Sequence, residues 1–272
     1  MADTAQLMSH VQDTDAFHFP FGVSLPVPQP FEAIGIHFHL TKFMVLEVVA
    51  AVLMIAIFVP LARRIARGGA PRGRFWNFFE TMLVFIRDEV GRAAIGRHDA
   101  DRFLPYLWTM FFFILFCNLL GMLPWCGSPT GALAVTGALA VIAFATVVGA
   151  GMMKIGPIGF WKSMVPHMDL PGPLGLVLVP FMFVIEVFGL LIKHFVLSVR
   201  LLANLFAGHL VLAVIVAFIA DAAHTYLWYA VTPASIFGAV ALSLLELFVA
   251  FLQAYIFVFL SALFVGMALH PH

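Results

Sequence analysis

The sequence predicts an all-α integral membrane protein, and three observations carry that prediction. Apolar residues make up 63% of the 272-residue chain and charged residues only 10%, a balance foreign to soluble globular domains. Five apolar runs are each long enough to cross a hydrocarbon core of roughly 30 Å as a helix. The last two runs are far longer than one crossing needs, and their few polar groups recur at helical spacing. The expected architecture is about five membrane helices plus a surface amphipathic helix, the last two helices long and steeply tilted as a hairpin. Residues 1–40 form an extra-membrane N-terminal arm, and residues 41–272 a single membrane domain.

Composition also excludes several functions. Lys plus Arg equals Asp plus Glu, 14 each, so no global charge steers the chain toward nucleic acid. Cys117 and Cys126 read as free thiols, too few ligands for a metal site. No cofactor is expected. The arm carries His10, Asp13, Asp15 and His18 among prolines, without sustained periodicity. It lacks a basic region followed by an apolar core, so it does not read as a cleavable signal peptide.

The first span covers Phe43–Ala62. Arg63, Arg64, Arg67, Arg72 and Arg74 follow it, and this dense positive cluster places that end in the cytoplasm and the N-terminus outside. Over residues 75–95, Phe75, Phe78, Phe79, Met82, Phe85, Ile86 and Val90 fall at helical spacing, while Glu80, Arg87, Asp88, Glu89 and Arg92 occupy much of the remainder. That pattern is an amphipathic helix on the cytoplasmic membrane surface or against a neighbouring chain. A second span, Phe103–Leu123, ends at Pro124 and the loop PWCGSPTG. The third occupies about 130–153, its apolar run Leu133–Met153 rich in small residues suited to helix packing. Lys154 and Lys162 then mark a second cytoplasmic loop, and the C-terminus falls on that side too.

The remaining runs exceed one crossing. Gly175–Ile219 has 45 residues and would extend about 67 Å as one helix; Pro233–Leu269 would extend about 55 Å. Each must tilt, bend or partly unwind. The alternative is that each run hides a broken pair of ordinary spans.

Arg200 sits mid-run in VLSVRLLANLFAGHLVLA. A permanent cation in a membrane helix costs roughly 2.5–3.5 kcal/mol on insertion scales, so it marks a functional site by default. Glu186, Lys193 and Arg200 are heptad-spaced and stay within about 40° of one another, with Asn204 one turn further on the same side. His209 falls on the opposite face. On the last segment Glu246 and Gln253 share a face. Burial favours the protonated form of a carboxylate, and His209 on the facing helix could exchange protons with Glu246 near neutral pH. Each residue also has a structural alternative. Arg200 could pair with Glu186 or with another chain to fix packing; Lys193 and His194 could snorkel from a tilted helix; Asn204 and Gln253 could be interhelical glue. Asp221 and His224 belong to the outer loop, at a possible channel mouth.

The stretches SVRLLANLFAGHLVLAV (198–214) and LLELFVAFLQAYIFVFL (244–260) resemble subunit a of the F-type ATP synthase. FFETMLVFIRDEVG (78–91) and RFLPYLWTMFFFILFCNLLGMLP (102–124) support the likeness, which covers about 75–268. The resemblance implies that Arg200 is the family's essential arginine, and that Asn204 and Gln253 match its polar partners. Many bacterial members carry glutamate where this chain has His209 and histidine where it has Glu246. Here the two are exchanged, as in mitochondrial relatives, and the acid–imidazole pair survives.

What the resemblance implies is a proton-channel subunit, not catalytic alone, in a bacterial plasma (inner) membrane or, alternatively, an organellar inner membrane. Its partners would be a c-subunit ring, peripheral-stalk b subunits, the rest of the complex and the bilayer. Protons would pass through two aqueous half-channels to and from the ring carboxylates, separated by Arg200, with Glu186 at the exit wall. ATP chemistry must lie elsewhere, because the chain has no phosphate-binding glycine loop. Two other classes compete. A membrane haem-binding subunit needs paired histidines on facing spans, and a secondary ion transporter usually shows two related halves.

Overall fold

The computed structural model describes residues 41–68, 73–123, 127–163, 172–222, 226 and 228–270, with four short strands before them; side chains of the strands and at 172–177, 209, 213, 216, 220 and 221 fall outside the description. The strands form two antiparallel hairpins within residues 16–38: β1 Ala16–His18 with β2 Ser24–Pro26, and β3 Phe31–Ala33 with β4 Ile36–Phe38. Everything else with regular structure is helical, and five helices have the length and composition to cross a membrane among the described residues.

Helix α1 spans Lys42–Ala66, with Arg63 and Arg64 in its last turn. Pro60 is carried inside it, where it removes one backbone hydrogen bond and crowds the carbonyl one turn before, a defect that membrane helices accommodate. Helix α2, Arg74–Phe85, continues through a π turn, Ile86–Gly91, into α3, Arg92–Ile95. The expected apolar face is real but divided. Phe79, Met82, Ile86 and Val90 are buried, whereas Phe75 and Phe78 stay exposed. Trp108 Nε1 donates to the Leu83 carbonyl at 3.0 Å, just before the helix widens.

Helix α4 runs Ala100–Gly121 and α5 Leu133–Ile155. The 3₁₀ turn Pro129–Gly131 lies between them. A short helix that the pattern did not reveal, α6 Pro157–Ser163, follows the positive-φ Gly156. It folds back so closely that Phe160 occupies the space a Cβ on Gly151 would need.

Helices α7, Gly172–Ala222, and α8, Trp228–Leu269, are each continuous, with Pro180 and Pro233 inside them. The alternative of two broken pairs of ordinary spans is therefore removed. At 51 and 42 residues they extend about 76 and 63 Å. Neither fits upright across a core of about 30 Å.

The chain divides into two compact units, Met1–Pro71, Phe112–Val135 and Leu201–Ala254 in one, and Arg72–Phe111, Thr136–Arg200 and Tyr255–His272 in the other. The core of the first includes Leu46, Ala50, Phe112, Ile114 and Ala250. That of the second includes Leu107, Phe111, Ala143, Phe257 and Val265.

Candidate functional site

In the first unit, α7 and α8 face each other across a cavity of about 230 Å³. Asn204, Gly208 and Val211 line it from α7, and Leu242, Glu246 and Ala250 from α8. Asn204, Gly208 and Val211 recur at four and three residues, which puts them on one helical stripe. Glu246 and Ala250 are four apart for the same reason. Glu246 is half-buried and its carboxylate makes no hydrogen bond or ion pair among the described residues. It lies directly against Gly208, where a Cβ would strike its Oε1. A carboxyl group is thus held in a mostly apolar cleft with one amide side chain, Asn204, on its wall.

Gln253, two turns beyond Glu246, is buried and its Nε2 has no hydrogen-bond partner among the described residues. A buried amide donor left unsatisfied costs about 1–3 kcal/mol unless water or another chain satisfies it. The backbone of His209 lies within α7, but its side chain is outside the described residues, as are the side chain of Asp221 and all of His224 and Cys126.

Asn118 was not singled out by the sequence pattern, yet it is fully buried and bonded on both sides. Its Nδ2 donates to the Ala250 carbonyl at 3.1 Å, and its Oδ1 accepts from Thr130 Oγ1 at 2.7 Å. The signal was present as a lone amide in an apolar span. Glu47, half-buried in α1, is a second polar group that went unremarked.

In the second unit, Arg200 is exposed and has no ion pair or hydrogen bond among the described residues. Glu186 is likewise exposed and unpaired there. Fourteen residues of helix separate them, about 21 Å, so the two do not form the structural pair that heptad spacing allowed. Lys193 is exposed, with its Nζ 5.9 Å from the Phe264 ring centroid. His194 is buried between the rings of Phe144 and Phe264, at 5.4 and 5.2 Å, its Nδ1 2.9 Å from the Leu190 carbonyl.

Outside the spans, Asp99 accepts from Lys154 Nζ at 2.7 Å and lies 3.6 Å from His270 Nε2. It joins the α3–α4 turn to the ends of α5 and α8. The Lys154 hydrogen bond, followed by that of His98, holds the Asp99 carboxyl below the usual carboxylate range. Asp88 is lowered in the same way, first by its hydrogen bond to Arg87.

A family model described as ATP synthase A chain matches residues 44–266. The chain belongs to this family. It is 42% identical over 236 residues to ATP synthase subunit a of Myxococcus xanthus (strain DK1622), covering 86% of this chain and 75% of that protein. Similarity to ATP synthase subunit a of Chloroherpeton thalassium (strain ATCC 35110 / GB-78) is 37% identity over 264 residues, 95% of this chain and 75% of the relative. Subunit a 2 of Chlorobaculum tepidum (strain ATCC 49652 / DSM 12025 / NBRC 103806 / TLS) is 38% identical over 267 residues, 96% and 72% of the two chains. As a member of the ATP synthase A chain family, the protein is a multi-pass, non-catalytic membrane-sector subunit that serves proton transport.

Proposed function

We propose that this subunit supplies two aqueous half-channels to and from the carboxylates of a rotating c-subunit ring, and that Arg200 separates them. The observation that carries this reading is the exposed guanidinium of Arg200, with no hydrogen bond or ion pair among the described residues, in a predominantly apolar helix. Arginine keeps its proton at physiological pH, so in a membrane it needs a counter-charge, which the described residues of this chain do not supply. A carboxylate presented by a partner ring supplies it.

Protons enter from outside along Glu246 and His209, with Asn204 and Gln253 beside the path. The cleft at Glu246 has room for a few waters and a group that can hold a proton. Transfer from there neutralises a ring carboxylate, which can then face lipid. After the ring turns, the proton leaves on the cytoplasmic side past Glu186. Lys193 and His194 border that route, and Asp221 and His224 stand at the outer mouth. The positive charge of Arg200 favours the ionised ring carboxylate and opposes direct proton passage between the half-channels. The long α7 and α8 cross steeply tilted, and peripheral-stalk b subunits hold the chain against the ring's torque. The exposed Arg63, Arg64 and Arg67 at the end of α1 support a cytoplasmic position for that end and an outside N-terminus. The membrane is a bacterial inner membrane.

Cysteine accessibility along the polar face of α7 tests the design in the assembled complex. Positions before Arg200 should label from the cytoplasmic side and positions after it from the outer side. One uninterrupted water-accessible face would refute the two-channel reading.

A further inference from the structure

Asn118 stands alone as an amide in the apolar run FILFCNLLG of α4, and its side chain is 0% exposed. It reaches the backbone of α8 across 132 residues of sequence, at the Ala250 carbonyl. That carbonyl can only accept, which fixes the amide's orientation. The amide oxygen is then left to Thr130 Oγ1, which lies 2.8 Å from Ser128 Oγ. Ser128 and Thr130 are both buried. A second feature keeps this chain of bonds in register. Gly121 lies one turn after Asn118, and a Cβ there would run into Ser128. The segment Ser128–Thr130 is therefore folded directly onto the end of α4.

Neither an amide nor an aliphatic hydroxyl gains or loses a proton in the physiological range, so the chain carries no charge. Its effect is on position. Ala250 is one turn beyond Glu246 on the same face of α8, and both line the cavity that Asn204 shares. A buried hydrogen bond to a helix carbonyl fixes the height and rotation of that turn. We propose that Asn118 is a positioning residue for proton entry: through Ala250 it sets where the Glu246 carboxyl sits, and Thr130 holds the amide in place. The proposal rests on the reading of Glu246 as a proton-path residue.

The test uses inverted vesicles carrying the whole ATP synthase, with ATP-driven acidification recorded as a function of pH beside the amount of assembled subunit. Asn118→Ala should assemble and pump slower by roughly tenfold, the order of one lost net hydrogen bond, with a shifted pH profile. Thr130→Val should shift the profile in the same direction by less, and Thr130→Ser should retain the wild-type profile. A merely structural Asn118 would lower the amount of complex and leave the profile of the remainder unchanged, which overturns the proposal. Should Asn118→Ala fail to assemble, Thr130→Val decides on the same criterion. Glu246→Gln separates the two readings. Wild-type pumping in that variant removes Glu246 from the path and the premise with it. If Glu246→Gln is impaired while Asn118→Ala keeps the wild-type profile, the positioning role alone fails.

Discussion

Gly208 of α7 faces the carboxyl group of Glu246 on α8 with no room between them for a side chain. The obstacle to a Cβ is the free end of a flexible side chain, so the carboxyl can swing aside without moving either helix. Replacing a helix-interior glycine by alanine also gains about 0.8–1 kcal/mol of helix propensity. Gly208→Ala should therefore assemble at least as well as wild type while pumping more slowly. Driving Glu246 from its preferred rotamer costs of order 0.5–1.5 kcal/mol, so the loss should be about two- to tenfold. Immunoblots of membrane-bound subunit beside ATP-driven acidification check this. Unchanged pumping at normal subunit content would mean that the place of Glu246 is unimportant.

Gly266 sets up the opposite outcome from the same substitution. A Cβ there meets the backbone carbonyl oxygen of Ala94, which cannot rotate away. The end of α8 packs against α3 through this bare glycine, and both elements must shift to admit a methyl group. Overpacking of this kind typically costs about 1–3 kcal/mol, more than the propensity gained. Gly266→Ala should reduce the level of assembled subunit and lower the melting temperature of the purified complex. A normal melting temperature would show that the α3–α8 contact gives way readily.

The clasp at Asp99 has a defined pH window. Its hydrogen bonds to Lys154 and then His98 depress the carboxyl's folded-state value. A depressed carboxylate contributes stability that is full above the unfolded value, about 3.9, and is lost as pH falls through the folded value. The clasp is therefore intact across physiological pH. Asp99→Asn should lower the melting temperature slightly at about pH 7, and the difference should shrink below the unfolded value of about 3.9 and vanish only once pH falls below the depressed folded value. The effect is small because the partners are solvent-accessible. A difference between the two proteins that stays constant or grows in acid would refute this account.

The helices were legible because apolar runs and the charges that interrupt them are both written locally. Arg200, Glu246 and Asn204 stood out for the same reason, as polar residues in runs that exclude polarity. The ends were less so. Helix α7 begins at Gly172 and α8 at Trp228, five residues before Pro233, whose ring costs one backbone hydrogen bond without ending the helix. The β-hairpins, the π turn at Ile86–Gly91 and the short α6 carry no periodic signal of their own. Asn118 is a different kind of omission. Its importance lies in a carbonyl 132 residues away, and an isolated asparagine does not announce such a partner. Gly208 and Gly266 are invisible for the same reason, since close approach is a property of the packed chain.

Arg200→Lys is the most demanding test of the site. Lysine keeps a positive charge, so if Arg200 served only as a packing cation the change would be mild. The two side chains differ in what a membrane does to them. Guanidinium keeps its proton when buried, whereas ammonium is compact, strongly hydrated and readily deprotonated there. A group able to lose its proton between the half-channels could itself relay one. Its single-point head also lacks the planar fork that matches a carboxylate. Arg200→Lys should therefore assemble and lose ATP-driven proton pumping. Arg200→Ala should go further and open a passive leak, because no fixed charge then opposes direct transfer. The measurement is proton flux in vesicles stripped of the soluble sector, beside acidification in intact ones. Near-normal pumping by Arg200→Lys would make Arg200 a packing cation and take the separated half-channels with it.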